Sequence, residues 1–244
     1  MDLILDFGNT NKKLAIFNDD KLVELVQYSD ISLTQVRNFV NDHPGIENCI
    51  LSSVIHHPVS INRYLASHFH FLELTALTPL PIKNRYHSGE TLGKDRLAAA
   101  VAGAMRFPGQ EVLVINAGTC ITYDFINRRQ EYIGGAISPG LEMRFRALHT
   151  FTRKLPLINF RDSLILVGKN TEESILSGVL SGTIAEIEGI TARYRKNNPS
   201  LKILLSGGDV KYFDKQLKIS IFALPNIVIY GLQKILLFNV DKVT

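Results

Sequence analysis

The feature that most constrains this chain is a pattern that occurs twice. Leu3-Ile4-Leu5 leads into Asp6, then Phe7-Gly8-Asn9-Thr10, then Lys12-Lys13 and an apolar run over 14–17. Later, residues 111–115 lead into Asn116-Ala117-Gly118-Thr119, and a second apolar run fills 121–125. Both copies read as strand, tight polar turn, strand. A third strand follows each, over 21–28 and over 131–137, so each half opens as an antiparallel meander. The seam falls at Pro108-Gly109-Gln110, which divides the chain into halves 1–109 and 110–244. Two related α/β halves with mixed sheets are the expectation, and two glycine turns would then face one cleft.

Helices and strands alternate after each meander. Ser32 can cap a helix over 32–42, with Val36, Phe39 and Val40 at helical spacing and Pro44-Gly45 closing it. A strand over 48–54, a helix over 59–68 and a strand over 68–74 follow. Residues 78–91, with Pro79, Pro81 and Gly89, read as a loop longer than most connections, and such loops are often functional. Alanines dominate 93–105, favouring a helix that can lie close to a neighbour. In the second half the pattern predicts a helix over 139–149 with Pro139 at its first position and a strand over 163–167. A long helix over 171–196 follows, in which Gly178, Gly182 and Gly189 allow close packing. A strand over 201–205 then ends at Ser206-Gly207-Gly208-Asp209, and a last helix covers 226–240.

Composition narrows the class. Of 244 residues, 27 are Lys or Arg and 23 Asp or Glu, a net charge of +4 without a basic run. That suits an anionic small substrate at least as well as nucleic acid. Cys49 and Cys120 sit in separate apolar segments, as reduced, small hydrophobes do. No Cys/His spacing argues for zinc. The first residues carry acids rather than a basic segment ahead of an apolar one, and no apolar run reaches the ~18–20 residues of a membrane span. The expectation is a cytoplasmic enzyme without a nucleic-acid or membrane partner.

Five segments combine glycine with polar groups at strand ends or helix starts: Asp6-Phe7-Gly8-Asn9-Thr10, Gly93-Lys94-Asp95-Arg96, Asn116-Ala117-Gly118-Thr119, Gly134-Gly135-Ala136-Ile137-Ser138-Pro139-Gly140 and Ser206-Gly207-Gly208-Asp209. Ligands of open α/β sheets bind where strands end. Gly8 allows close backbone approach or positive φ. Asn9, Thr10 and the turn amides can donate to an oxyanion. Asp6 cannot hold phosphate directly, but it can hold Mg²⁺ or a water on Mg²⁺. On its own this turn is better read as an ordinary hairpin, since the motif is short and its residues are common in turns.

Taken in order, these segments and Met143-Arg144-Phe145-Arg146-Ala147-Leu148-His149 resemble type III pantothenate kinase over nearly the whole chain. The resemblance implies two duplicated ribonuclease-H-like halves, as in the acetate and sugar kinase, actin and chaperone ATPase superfamily. It implies ATP-dependent phosphorylation of the primary hydroxyl of pantothenate, the first committed step to coenzyme A. Mg²⁺, a requirement for K⁺ or NH₄⁺, and a homodimer are implied as well. The ATP-phosphate loop falls on residues 6–13, namely Asp6, Gly8, Asn9, Thr10 and Lys13, with Thr119 a further ATP contact. Asp95 falls on the catalytic acid, which can accept the hydroxyl proton as the phosphoryl group arrives. Gly93, Lys94 and Arg96 surround it, and Tyr86 and Thr171 match pantothenate contacts.

Each of these has an ordinary counterpart. Lys13 is also a strand lysine, Asp95 a first-turn helix acid, Arg96 one half of a surface ion pair, Tyr86 a packed loop aromatic and Thr171 a helix N-cap. Arg144 and Arg146 can bind phosphate, or their helix can form a dimer interface that buries Phe145 and Leu148; the interface and shaping role is favoured. One position departs from the family. The second turn normally begins with Asp, which helps hold the monovalent cation, and here it is Asn116. The competing readings are a nucleotide-binding regulator without turnover and a phosphohydrolase on the same fold.

Overall fold

β1 (Asp2–Phe7) is interior to its sheet, and this is why its run Leu3-Ile4-Leu5 is wholly buried. It pairs antiparallel with β2 (Lys12–Asn18), which pairs antiparallel with β3 (Lys21–Tyr28). On its other side β1 pairs parallel with β4 (Asn48–Ser53), and β4 with β5 (His70–Glu73). The order is β3-β2-β1-β4-β5. α1 (Leu33–Asn41) starts at a complete capping box between Ser32 and Gln35. It buries Val36 and Phe39 on one face of the sheet, beside Ile61 and Leu65 of α2 (Val59–His68). The opposite face is covered by α3 (Lys94–Arg106) and α7 (Ile227–Val240).

The computed structural model describes residues 1–240. It divides into two compact units. The first comprises Met1–Arg106, Gln130–Tyr132 and, among the described residues, 226–240; the second comprises Phe107–Arg129 and Ile133–Pro225. The halves of the sequence are a division by repeated pattern, whereas these units are a division by packing, and the last helix packs with the first strands. The second unit holds β7 (Val112–Ala117), β8 (Cys120–Ile126), most of β9 (Glu131–Pro139), β10 (Lys202–Ser206) and β11 (Phe222–Ala223), in the order β11-β10-β7-β8-β9. β7 is antiparallel to β8 and parallel to β10. α4 (Leu141–Thr150), α5 (Thr171–Asn197) and α6 (Val210–Gln216) close its core, through Phe145, Leu180, Ile187 and Phe213 among others. Both sheets are mixed and flanked by helices, as the duplicated pattern implies.

Several local expectations are corrected. The loop over 78–91 contains β6 (Lys83–Asn84), paired parallel with Glu131 and Tyr132, and one 3-10 turn, Gly89–Thr91. Pro139 ends β9, and Gly140 is the N-cap of α4, so proline is not the first helical residue. Residues 163–167 form no strand: the Leu166 carbonyl accepts from Ser177 Oγ at 2.7 Å rather than from a neighbouring strand, and Leu164, Leu166 and Val167 are exposed. α6 and β11 lack a counterpart in the sequence reading. A Cβ on Gly178, Gly182 or Gly189 would meet nothing within 4 Å, so these glycines bring no element of this chain close to α5. Among the described residues α5 is the one helix long and apolar enough to cross a membrane by length and hydropathy, and its apolar side lines the second unit's core.

The alanines of α3 do bring a neighbour close. Ala98, Ala99 and Ala100 are fully buried, and α7 approaches at Gly231, where a Cβ would lie 1.8 Å from the Ala98 carbonyl oxygen. Backbone cannot yield there as a side-chain tip can. Gly231→Ala is expected to destabilise the protein by on the order of 3 kcal/mol. Denaturant unfolding measures this, and an unchanged midpoint would show that the two helices separate freely.

Candidate active site

The first unit gathers charge at the end of β1. Asp6 lies directly opposite Lys13 in the antiparallel pair β1–β2 and beside Ser52 of β4, and cross-strand partners share a face. Burial pushes the Asp6 carboxyl up to about 7; Lys13 works against that rise and the charge of Asp95 adds to it. The Lys13 ammonium is held below its usual range by burial, with Asp6 opposing. Lys13 Nζ donates to Asn226 Oδ1 at 2.9 Å, at the entry to α7. Lys12 points to the other face. It is enclosed, and its Nζ donates to Ser29 O at 2.9 Å and Asn9 O at 3.4 Å, which ties the turn to the end of β3. The Gly8 amide donates within the turn to Asn11 O at 3.0 Å. Gly8 is outside the left-handed region, so close approach to Asn11 rather than positive φ is its contribution. Asn9 and Thr10 are exposed.

Asp95 stands in the first turn of α3, which begins with Leu97 N donating to Gly93 O at 3.1 Å. Its carboxylate folds back over Gly93, where a Cβ would sit 2.5 Å from Asp95 Oδ1. Lys94 is half-buried. Arg96 is buried and its guanidinium lies 5.9 Å from the centre of the Tyr86 ring, a cation–π contact. Arg96 is therefore enclosed rather than one half of a surface pair. Tyr86 also packs on Tyr132, with ring centres 6.0 Å apart. The loop that carries it is fixed by Arg85, whose backbone amide donates to Tyr132 O and whose guanidinium pairs with Glu131 at 2.8 Å. Asp6, Lys13 and Asp95 thus interact as one group of charges, and Tyr86 and Arg96 as one contact, all within one unit.

The second turn has its own enclosure in the second unit. Asn116 sits on β7 opposite Thr122 of β8 and Ser206 of β10, and Thr119 is exposed. Gly140 N donates to Thr119 O at 3.1 Å, and a Cβ on Gly140 would lie 2.0 Å from Gly118 O. From the other side Gly207, at φ +101°, presses on Ala117, while Asp209 N donates to Ala117 O at 3.1 Å. Two other glycine segments, 134–140 and 206–209, therefore converge on this turn. Burial, and then Glu142, raise the Asp209 carboxyl. Thr171 begins α5, but the N-cap is Asn170, whose side chain accepts from Glu173 N at 2.9 Å, so the Thr171 hydroxyl is not the cap. Arg144 pairs with Glu186 and Arg146 with Glu142. Phe145 is buried in the second unit's own core, and Leu148, partly buried, packs against it.

Sequence reasoning missed Asn226, which is 213 positions from the lysine it holds. Its one local signal is its place just ahead of an apolar helix at φ +58°, a conformation that asparagine tolerates better than most residues. The donor set suits Mg²⁺. Two mutually repelling carboxylates, one of them held part-protonated by burial, gain from a divalent cation. Among the described residues no group of three or more His, Cys, Asp or Glu could cage a metal. Mg²⁺ commonly takes one or two protein carboxylates and completes its shell with phosphate oxygens and water.

A model of the type III pantothenate kinase family matches residues 2–193. A type III pantothenate kinase of Phocaeicola vulgatus is 44% identical over 243 residues, covering 99% of this chain and 100% of the relative. Among solved structures, a Campylobacter jejuni protein assigned as a Baf family transcriptional activator superposes with a TM-score of 0.63 at 19% identity, covering 98% and 99% of the two chains. A Listeria monocytogenes protein assigned as an N-acetylmannosamine kinase gives 0.54 at 11% identity, covering 100% and 99%. The last two are likenesses of fold.

Gly93→Ala tests the fold-back of Asp95. The methyl group displaces only the tip of a flexible side chain, so the thermal midpoint is expected to stay near wild type. Turnover is expected to fall on the order of 100-fold as the carboxylate moves. Unimpaired turnover would mean that the observed Asp95 position is not the working one.

Proposed function

We propose how the work is divided in this chain, which belongs to the type III pantothenate kinase family. The enzyme transfers the γ-phosphoryl group of ATP to the primary hydroxyl of pantothenate and so opens coenzyme A synthesis. The observation that carries the division is the shared electrostatics of Asp6, Lys13 and Asp95 in one unit. The turn Gly8-Asn9-Thr10 and Lys13 hold the ATP phosphates, and Thr119 is a further ATP contact. Lys13 gives up its bond to the neutral amide of Asn226 for the stronger bond to a charged oxygen. Asp6 holds Mg²⁺ through water, and the ion neutralises phosphate charge when bound. Asp95 accepts the proton of the pantothenate hydroxyl as its oxygen bonds to phosphorus and the bond to ADP breaks. Gly93 and Lys94 flank that acid. Arg96, held in place by Tyr86, takes the pantothenate carboxylate or a phosphate, and Thr171 is a further substrate contact.

Asp95→Asn is expected to lower pantothenate-dependent ADP release by about 100- to 10,000-fold without loss of fold, the range that positioned acid–base groups contribute. Near-normal turnover would remove Asp95 from this role. The same assay separates the competing readings: release without pantothenate indicates a hydrolase, and no release a regulator. Intact Asp6 and Asp95 favour the kinase.

We assign the monovalent cation, K⁺ or NH₄⁺, to the turn at Asn116. An amide oxygen can coordinate it but brings no charge. Activity is therefore expected to change little when K⁺ or NH₄⁺ is exchanged for Na⁺ in the assay, and a steep loss would refute this weakened site. We also assign a cytoplasmic homodimer without nucleic-acid or membrane partners. Support for the dimer comes from the exposed side of α5, where Ser174, Gly178, Gly182, Ala185 and Gly189 leave room for a second helix to approach at backbone distance. Sedimentation velocity reads the oligomeric state directly.

A further inference from the structure

Glu186 lies midway along α5 and is the centre of a hydrogen-bonded group. Its carboxylate accepts from Tyr123 Oη at 2.8 Å, Ser138 Oγ at 2.6 Å and Arg144 Nη2 at 2.5 Å. Tyr123 is fully buried on β8, and Arg144 and Glu186 are both largely enclosed. Burial alone would raise the Glu186 carboxyl, but the bonds from Ser138, Arg144 and Tyr123 outweigh it and hold the group below its usual range. The carboxylate is thus charged and saturated with donors from β8, β9 and α4.

These donors lead to the second turn. Arg144 Nε also donates to Pro139 O at 2.8 Å, so Glu186 fixes the side chain of residue 138 and, through Arg144, the carbonyl of residue 139. The next residue is Gly140, whose amide holds Thr119 O and whose Cα sits against the Gly118 carbonyl with no room for a methyl group. The strap 138–140 clamps the turn 118–119, and Glu186 clamps the strap.

We propose that Glu186 is a positioning residue for nucleotide binding: it holds Ser138-Pro139-Gly140 so that the Gly118-Thr119 turn keeps the shape that receives ATP. This rests on the assignment of Thr119 as an ATP contact. It also gives Arg144 an internal role, in place of phosphate binding or an interface.

The test measures Mg²⁺-ADP binding by titration calorimetry, together with the separate KM values for ATP and pantothenate, in wild type, Glu186→Gln, Ser138→Ala and the double variant. Glu186→Gln keeps the shape and removes the charge that holds Arg144. It is expected to weaken Mg²⁺-ADP binding and raise the ATP KM by about tenfold, the order of one charged hydrogen bond. The pantothenate KM and the thermal midpoint should stay near wild type. Ser138→Ala should have a smaller effect of the same kind, and the double variant should fall short of the product of the two, as members of one network do. Unchanged ADP binding in Glu186→Gln overturns the proposal. So does a parallel loss of both KM values and of stability, which is what a purely structural role would give. If Glu186→Gln fails to fold, Ser138→Ala decides by the same ADP measurement. The wild-type ADP-release assay tests the kinase reading itself, so loss of one leaves the other standing.

Discussion

The approach of α7 to α3 is the contact on which the rest of the first unit depends. Gly231 admits the Ala98 carbonyl at a distance that no other residue type allows. The run of small residues in α3 then lies flat beneath its neighbour. This contact sets the height and pitch of α3, and α3 carries Asp95 and Arg96 in its first turn. The entry to α7 in turn presents Asn226 to Lys13. Two groups assigned to the chemistry are thus aligned by a backbone contact that contains no reactive atom.

Charge is the second organising constraint. Asp6 sits at the end of a strand whose preceding residues are wholly buried, so its carboxylate emerges into a poorly solvated place beside a lysine that is itself desolvated. Neither charge is comfortable with only the other for company. Polyphosphate and a divalent cation bring the countercharges that both lack, and binding energy is gained where folding left charge incompletely compensated. The second unit uses another device. Its turn is held by close backbone packing from two glycine segments and by the carboxylate of Glu186 behind one of them.

Legibility followed the range of the physics. Ser32 announced the start of α1 because an N-cap is a local matter, and Gln35 completes a capping box that the sequence reading did not name. The helix over 59–68 was legible from the spacing of Ile61 and Leu65. The Asp6–Lys13 pairing follows from a hairpin register. β6 and β11 are two residues long and carry no periodicity. The alternation at Leu164 and Leu166 imitates a strand where no neighbouring strand takes the Leu166 carbonyl. Asp95 could be singled out only through family likeness, since an acid in a helix's first turn is ordinary. Asn226 and Glu186 depend on partners far away in sequence, and nothing local marks either one.

The return of the last helix to the first strands has a further consequence, for how the molecule is made. On the ribosome β1 emerges well before α7, so one face of the first sheet must wait, apolar and uncovered, while the second unit is synthesised. The second unit is nearly continuous in sequence and can close as soon as it has emerged; the first cannot. Its native fold therefore depends on contacts of very high sequence separation, and such contacts slow folding and lengthen the exposure of aggregation-prone strands. A nascent chain that stalls before Asn226 would carry a finished second unit attached to an open sheet, a species for chaperones and proteases to recognise.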